Sequence, residues 1–240
     1  MLEVSGLSKR FGDFPAVNEV SFALRKGEIL GLIGPNGSGK STTFNLIAGA
    51  MRPSAGSIRF EGKEIGGLPA HKVCRMGLAR TFQIPRPFRR LSLIENVTLA
   101  AHYGSGSAIG EGEARSRAKA AIETVGLPGA NASTEGLGAA ALKKLELARA
   151  LATQPRLLLA DESLGGLDHT EMEHAALMLE TIRSRLGITI IWVEHIMGLL
   201  MRVVDRVIVL DHGEKIFEGL PEVAARDARV TEVYLGHARA

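Results

Sequence analysis

"EILGLIGPNGSGKSTTFNLIAGA", residues 28–50, decides how the rest of the chain is read. Glu28 to Gly34 is a short apolar run bounded by glycine, which favours a buried strand. Ser41 to Ala50 reads as a helix ending near Gly49. Between them Gly34, Pro35, Asn36, Gly37, Ser38, Gly39, Lys40, Ser41 and Thr42 fit the spacing G-x-x-x-x-G-K-[ST]. Glycines let successive backbone N–H groups curl around phosphate oxygens with no Cβ in the way. The helix that follows adds free N–H groups and its positive dipole end. Lys40 is long enough to reach the β and γ phosphates of a nucleotide, and the Ser41 hydroxyl suits Mg2+. A chance glycine-rich turn would not sit between a strand and a helix start, so the stretch reads as a nucleotide site.

Outward from this point the chain alternates. "LEVSGL" (2–7), "VSFALRKGE" (20–28), "GSIRFEG" (56–62) and "LARTFQ" (78–83) are strand candidates. From about Asn96 to Ala152 the pattern turns helical, in "ENVTLAAHY", "EARSRAKAAIETVGL" and "ALKKLELARALA", with the Gly/Ser-rich loop "GSGSAIGEGE" after the first. Strands return as "RLLLAD" (156–161), "ITIIWVEH" (188–195) and "RVIVLDHGEKIFEG" (206–219), the last carrying hairpin chemistry at Asp211-His212-Gly213. The helix "TEMEHAALMLETIRSRLG" lies between, and Gly187 fits its stop. The fold class expected is α/β, a mostly parallel core with an inserted helical subdomain.

Composition sets the frame. The 240 residues suffice for one sizeable core or a domain with a subdomain, and 45% hydrophobic with 23% charged residues is ordinary for a soluble protein. Cys74 is the single cysteine, which excludes an intramolecular disulfide and reads as a packed or surface thiol. That usage, with no signal peptide in view, suits a reducing cytosol. No apolar run reaches transmembrane length, so a membrane role needs a partner. Net charge is +3, too mild to argue for nucleic acid, and the basic clusters "RPFRR" (86–90) and "RSRAK" (115–119) read as solvated faces.

A second chemical element is "RLLLADE". Four apolar residues followed by Asp161 and Glu162 place two carboxylates at the C-terminal end of a strand, the edge where α/β sheets bind ligands. Asp161 suits a Mg2+ held through water, and Glu162 suits a general base that orients the attacking water. Gln83 and His195 also end strands. Either alone is an ordinary surface residue. Their value lies in the order along the chain: phosphate loop, Gln83, helical insert, Asp161-Glu162, His195.

That ordered set resembles the nucleotide-binding subunits of ABC transporters, over nearly the whole chain. The resemblance implies a P-loop ATPase core with an N-terminal antiparallel β-subdomain and an inserted α-helical subdomain. It implies one cassette over 1–240, with 1–95 and 153–240 as the α/β core and 96–152 as the helical part carrying the signature segment. By position it makes Gln83 the Q-loop residue, which links Mg2+ and water to the membrane partner, and His195 the switch histidine at the γ phosphate. Asp168 becomes the D-loop residue of a dimer interface. Phe11, in "KRFGDF", takes the place that stacks on adenine, and reads nearly as well as a core phenylalanine. The strings "GLARTFQIPRPFRRLSLIENV", "KKLELARALA", "VEHIM" and "VTEVYLG" are similar to the branched-chain amino acid importer group, with urea or amide importers and the lipopolysaccharide-export ATPase as neighbours. Such subunits use ATP and Mg2+, work in pairs on the cytoplasmic face of the inner membrane under transmembrane permease subunits, and serve a solute-binding protein indirectly. Ile84 to Ile94 would lie near the helix that couples to the permease. Chromosome-maintenance ATPases need a long coiled coil, and translation-factor types usually carry two cassettes; the chain has neither. An Asn-Lys-x-Asp motif for guanine is also missing.

The signature departs from the family. Where Leu-Ser-Gly-Gly-Gln is expected, the chain has Leu137, Gly138, Ala139, Ala140 and Ala141. The serine hydroxyl, a donor to the γ phosphate of the opposite subunit, is lost. A hydrogen bond of that kind is worth ~1.5–3 kcal/mol. Ala140 in a left-handed backbone would cost a further ~1 kcal/mol. Ser163 replaces a proline after the Asp-Glu pair, and Ile196 replaces the common aspartate after the histidine. The expectation is weak ATPase activity alone and a working asymmetric heterodimer with an intact partner. A regulatory subunit that closes on ATP and scarcely hydrolyses it is the competing reading.

Overall fold

Alternating apolar and polar residues in the first 24 positions produce two long antiparallel strands, β1 (Leu2–Phe11) and β2 (Phe14–Leu24), joined at Gly12. Leu2, Val4, Leu7, Val17, Val20 and Phe22 turn to the interior. Next come β3 (Ile29–Ile33), buried along its whole length, α1 (Lys40–Ile47), β4 (Ala55–Phe60) and the short β5 (Lys63–Glu64). The antiparallel sheet runs in the order β2-β1-β4-β5. The computed structural model describes residues 1–129, 131–161, 169–193 and 197–235. Two compact units emerge, Met1–Ala70 with Thr189–Ala240, and His71–Ile188.

The second unit holds α2 (Ala70–Arg75, starting at the boundary), β6 (Leu78–Arg80), α3 (Leu93–Gly104), α4 (Glu111–Thr124), α5 (Ala139–Ala152), β7 (Leu157–Asp161) and α6 (His169–Leu186). Helices α3, α4 and α5 pack on one another. Their buried faces include Ala101, Ala114, Ala118, Ala121 and Ala148, small side chains that let helix axes approach closely. Ser92 caps α3 in a reciprocal box with Glu95. β6 pairs in parallel with β7, Arg80 opposite Leu159. The strand expected over 78–83 stops at Arg80.

The chain then returns to the first unit with β8 (Thr189–Val193), α7 (Met197–Val203), β9 (Arg206–Asp211), β10 (Glu214–Gly219), α8 (Pro221–Ala224) and α9 (Ala228–Leu235). β3 lies between β8 and β9, parallel to both. Uninterrupted apolar runs, rather than alternating ones, are what strands covered on both faces require. Polar groups fix the entry of β3. Glu28 is buried and accepts from Arg206 Nε (2.8 Å) and the Arg25 N–H, while the Asp205 carboxylate accepts the Ile29 N–H at 2.8 Å. His212 and Gly213, both at positive φ, make the β9–β10 hairpin turn that the sequence anticipated.

In the second unit the buried Asn96 side chain brackets part of the segment after β6. Asn96 accepts the Phe88 N–H (2.8 Å) and donates to the carbonyls of Phe88, Leu91 and Ser92. Asn96→Leu is expected to lower stability by about 2–3 kcal/mol, read by urea unfolding, because buried backbone groups lose their partners.

Candidate nucleotide site

The phosphate loop is shaped by backbone approach. Gly34 has φ 148° and a Cβ there would overlap the Leu210 carbonyl oxygen. Gly39 has φ 101° and a Cβ there would stand 2.7 Å from the Ala16 carbonyl oxygen. Gly37 (φ 81°) faces open space. The hairpin turn supports the loop from below, the Gly213 N–H donating to the Ser38 carbonyl at 3.1 Å. Lys40 is buried and its ammonium donates to the carbonyls of Gly34 (2.7 Å) and Pro35 (2.8 Å). Ser41 is exposed and Thr42 half-buried at the start of α1. That helix begins at Gly39 with no side-chain cap and no acidic residue in its first turn. A cavity of about 590 Å³ borders Pro35–Ser38, the hairpin turn and α9. Burial pushes the Tyr234 phenol on α9 up to about 12, against a hydrogen bond from the backbone of Gly34 that opposes the shift. Phe11 ends β1 half-exposed, with Lys9 Nζ 5.3 Å from its ring centre. It is therefore not a core residue, and its ring is accessible for stacking.

The second unit holds the other described residues. Asp161 ends β7 buried, and Arg80 Nη2 reaches its Oδ2 at 2.6 Å. The Asp161 N–H donates to Thr81 Oγ1 at 3.1 Å. Gln83 is exposed, three residues past the end of β6. Beyond it the Arg86 N–H donates to Glu146 Oε1 (2.9 Å), and Arg149 bridges Glu146 and the Arg86 carbonyl. Phe82, Ile84 and Phe88 are exposed along this segment. Glu162, Asp168 and His195, together with Ser163 and Ile196, lie outside the described residues.

The family model described as ABC transporter matches residues 17–165, more than half of the chain. The chain belongs to the ABC transporter family. It is 36% identical to the high-affinity branched-chain amino acid transport ATP-binding protein BraF of Pseudomonas aeruginosa, over 99% of this chain and 98% of that protein. It is 37% identical, with the same coverage, to LivG of Salmonella typhimurium, which carries the same description. The solved ADP conformation of the ATP-binding cassette MJ1267 matches 99% of both chains at TM-score 0.89 and 28% identity. The dimeric, post-hydrolysis cassette MJ0796 bound to ADP and Pi matches at TM-score 0.82 and 26% identity, over 92% of this chain and 99% of that one. The fold is accordingly an ABC cassette, an ATPase architecture that binds nucleotide.

The segment expected to carry the signature opens α5. Gly138 is the N-cap residue with extended φ −67° and ψ 167°, no side-chain cap, and no acidic residue in the first turn. Ala139, Ala140 and Ala141 are already helical. The left-handed strain considered for Ala140 does not arise, because the helix gives it an ordinary backbone. Leu137 is half-buried just ahead of the cap. Sequence reasoning missed Arg80, Thr81, Glu146 and Arg149, since pairings 60 to 81 residues apart leave no local pattern.

Gly34→Ala is expected to lose both about 3 kcal/mol of stability and most ATP affinity, since its Cβ meets backbone. Gly37→Ala should cost only about 1 kcal/mol of stability, for φ alone. Thermal unfolding and a fluorescent-nucleotide titration check both.

Proposed function

We propose that this cassette is the ATP-binding and hydrolysing subunit that energises a membrane importer for branched-chain amino acids. The observation that carries the reading is full-length similarity to BraF and LivG, together with a phosphate loop held in the conformation its glycines require. Two such subunits would work at the cytoplasmic face of the inner membrane under permease subunits, with a solute-binding protein outside. Among the described residues no helix is long and apolar enough to cross a membrane, so contact with a permease would be peripheral. The exposed apolar side chains of Phe82, Ile84 and Phe88 suit that contact.

Hydrolysis would be in-line attack of water on the γ phosphate. The N–H groups of residues 34–42 and the α1 N-terminus cradle the phosphates, Lys40 leaves its loop carbonyls for phosphate oxygens, and Phe11 stacks on adenine. Glu162 orients the water as general base, and His195 contacts the γ phosphate. Ser41, Gln83 and Asp161 are the residues proposed for Mg2+. Their hydroxyl, amide and carboxylate oxygens are the hard donors it prefers. Among the described residues no group of three or more His, Cys, Asp or Glu could hold a metal ion. Bound there, Mg2+ would supply charge neutralisation for the phosphates.

Gly138 to Ala141, with Leu137 before and Asp168 beyond the next strand, are assigned to the opposite subunit's ATP. The uncapped, acid-free start of α5 supports this, because such a helix end attracts an anion. The missing hydroxyl favours a heterodimer in which an intact partner signature covers this chain's own ATP. A Cβ at Gly138 meets nothing within 4 Å, so a serine fits. Gly138→Ser is expected to raise ATP turnover of the isolated chain several-fold, and to stabilise it by about 1 kcal/mol as a new N-cap. Ala140→Gly alone should not raise turnover. Equal turnover in Gly138→Ser at equal ATP binding would favour the regulatory reading instead. Transport of leucine, isoleucine and valine by membrane vesicles carrying the co-purified permease tests the cargo, and urea as the transported solute instead would overturn it.

A further inference from the structure

Asp161 is held by two consecutive residues of the neighbouring strand edge. Thr81 Oγ1 accepts its backbone N–H, and the Thr81 N–H donates to the Leu159 carbonyl at 3.0 Å. Arg80 takes its side chain, Nη2 to Oδ2 at 2.6 Å, in a pair whose side chains are only 11% and 5% exposed. The guanidinium is also placed by Phe82, whose ring centre lies 5.3 Å from Arg80 Cζ. Arginine keeps its charge at any working pH. A fixed cation therefore shares the carboxylate proposed for Mg2+, and the low local dielectric of a buried pair makes two cations there repel strongly.

We propose that Arg80 is a positioning residue that weakens the site's hold on Mg2+ through Asp161. This rests on the reading of Asp161 as a Mg2+-holding residue. By sharing the carboxylate, Arg80 keeps Asp161 aimed and its charge balanced, and limits how tightly the metal and its nucleotide are retained between turnovers.

The test is the Mg2+-dependent gain in ATP affinity of the full chain, the ratio of Kd in EDTA to Kd in excess Mg2+, from a binding titration without turnover. Metal binding by ATP in solution is common to all variants, so differences between ratios belong to the protein. Asp161→Asn is expected to lower the gain. Arg80→Gln should raise it by roughly tenfold or more, as a buried like-charge term is removed. Arg80→Lys, with a shorter and more strongly hydrated cation, should raise it less. Arg80→Gln/Asp161→Asn should return the gain to the Asp161→Asn value. A merely structural Arg80 would instead lower stability and the gain together. An unchanged or lowered gain in Arg80→Gln, with Asp161→Asn still lowering it, overturns the proposal alone. An unchanged gain in Asp161→Asn overturns the Mg2+ reading of Asp161 and the proposal with it. If Arg80→Gln does not fold, Arg80→Lys decides: a rise supports the proposal, and no change or a fall overturns it.

Discussion

The close approach of backbone to backbone at Gly34 and Gly39 is the constraint on which the first unit depends. The space for a side chain at these positions is filled by the carbonyls of Leu210 and Ala16. Those carbonyls belong to the end of β9 and to β2, so the loop is keyed to both sheets of the unit at once. Gly213 adds the third tie through Ser38. Because β3 feeds the loop and is fixed by Glu28, Arg206 and Asp205 at its other end, neither end of the strand can slide. A loop built this way spends little ordering energy when phosphate arrives, which is the physical content of preorganisation.

Helix starts tell a related story. α3 satisfies its first N–H groups with a capping box, and α4, which lacks a cap, places Glu111 and Glu113 in its first turn. α1 and α5 do neither. Uncapped helix N-termini keep a positive potential. At α1 that potential coincides with the phosphate loop. At α5 it coincides with Gly138 to Ala141, where no side chain caps the helix and the dipole and the backbone N–H groups of Ala139 and Ala140 remain.

Much of this was legible in the sequence. The phosphate loop, the β9–β10 turn, the three helices of the insert and the buried strand ending at Asp161 each rest on local spacing or on uninterrupted apolar runs, and such signals are read within a dozen residues. Phe11 stood between core and surface until the fold left it half-exposed at a hairpin, where the turn rather than the residue type decides burial. The end of the strand after Leu78 was misjudged because Thr81 and Phe82 have strand-like side chains, yet Thr81 spends its hydroxyl on Asp161 and the chain departs. The Arg80 pair and the Asn96 bracket were invisible for a different reason. Their meaning lies in partners that the fold, and not the neighbouring sequence, supplies.

α5 combines these features in one helix. At its N-terminus it presents an uncapped start at Gly138. Eight and eleven residues after Gly138, about 12 and about 17 Å along the axis, Glu146 and Arg149 grip the Arg86 backbone from its N–H and its carbonyl. Arg149 also lies 5.3 Å from the centre of the Phe88 ring. Glu146 is buried, so its carboxylate stays in place only while both the Arg86 N–H and Arg149 remain. A displacement of the segment carrying Phe82, Ile84 and Phe88 therefore reaches a helix through charge-assisted bonds rather than through flexible loop. The exposed apolar side chains of Phe82, Ile84 and Phe88 and the uncapped start of α5 are thus joined within one unit through two side chains, Glu146 and Arg149.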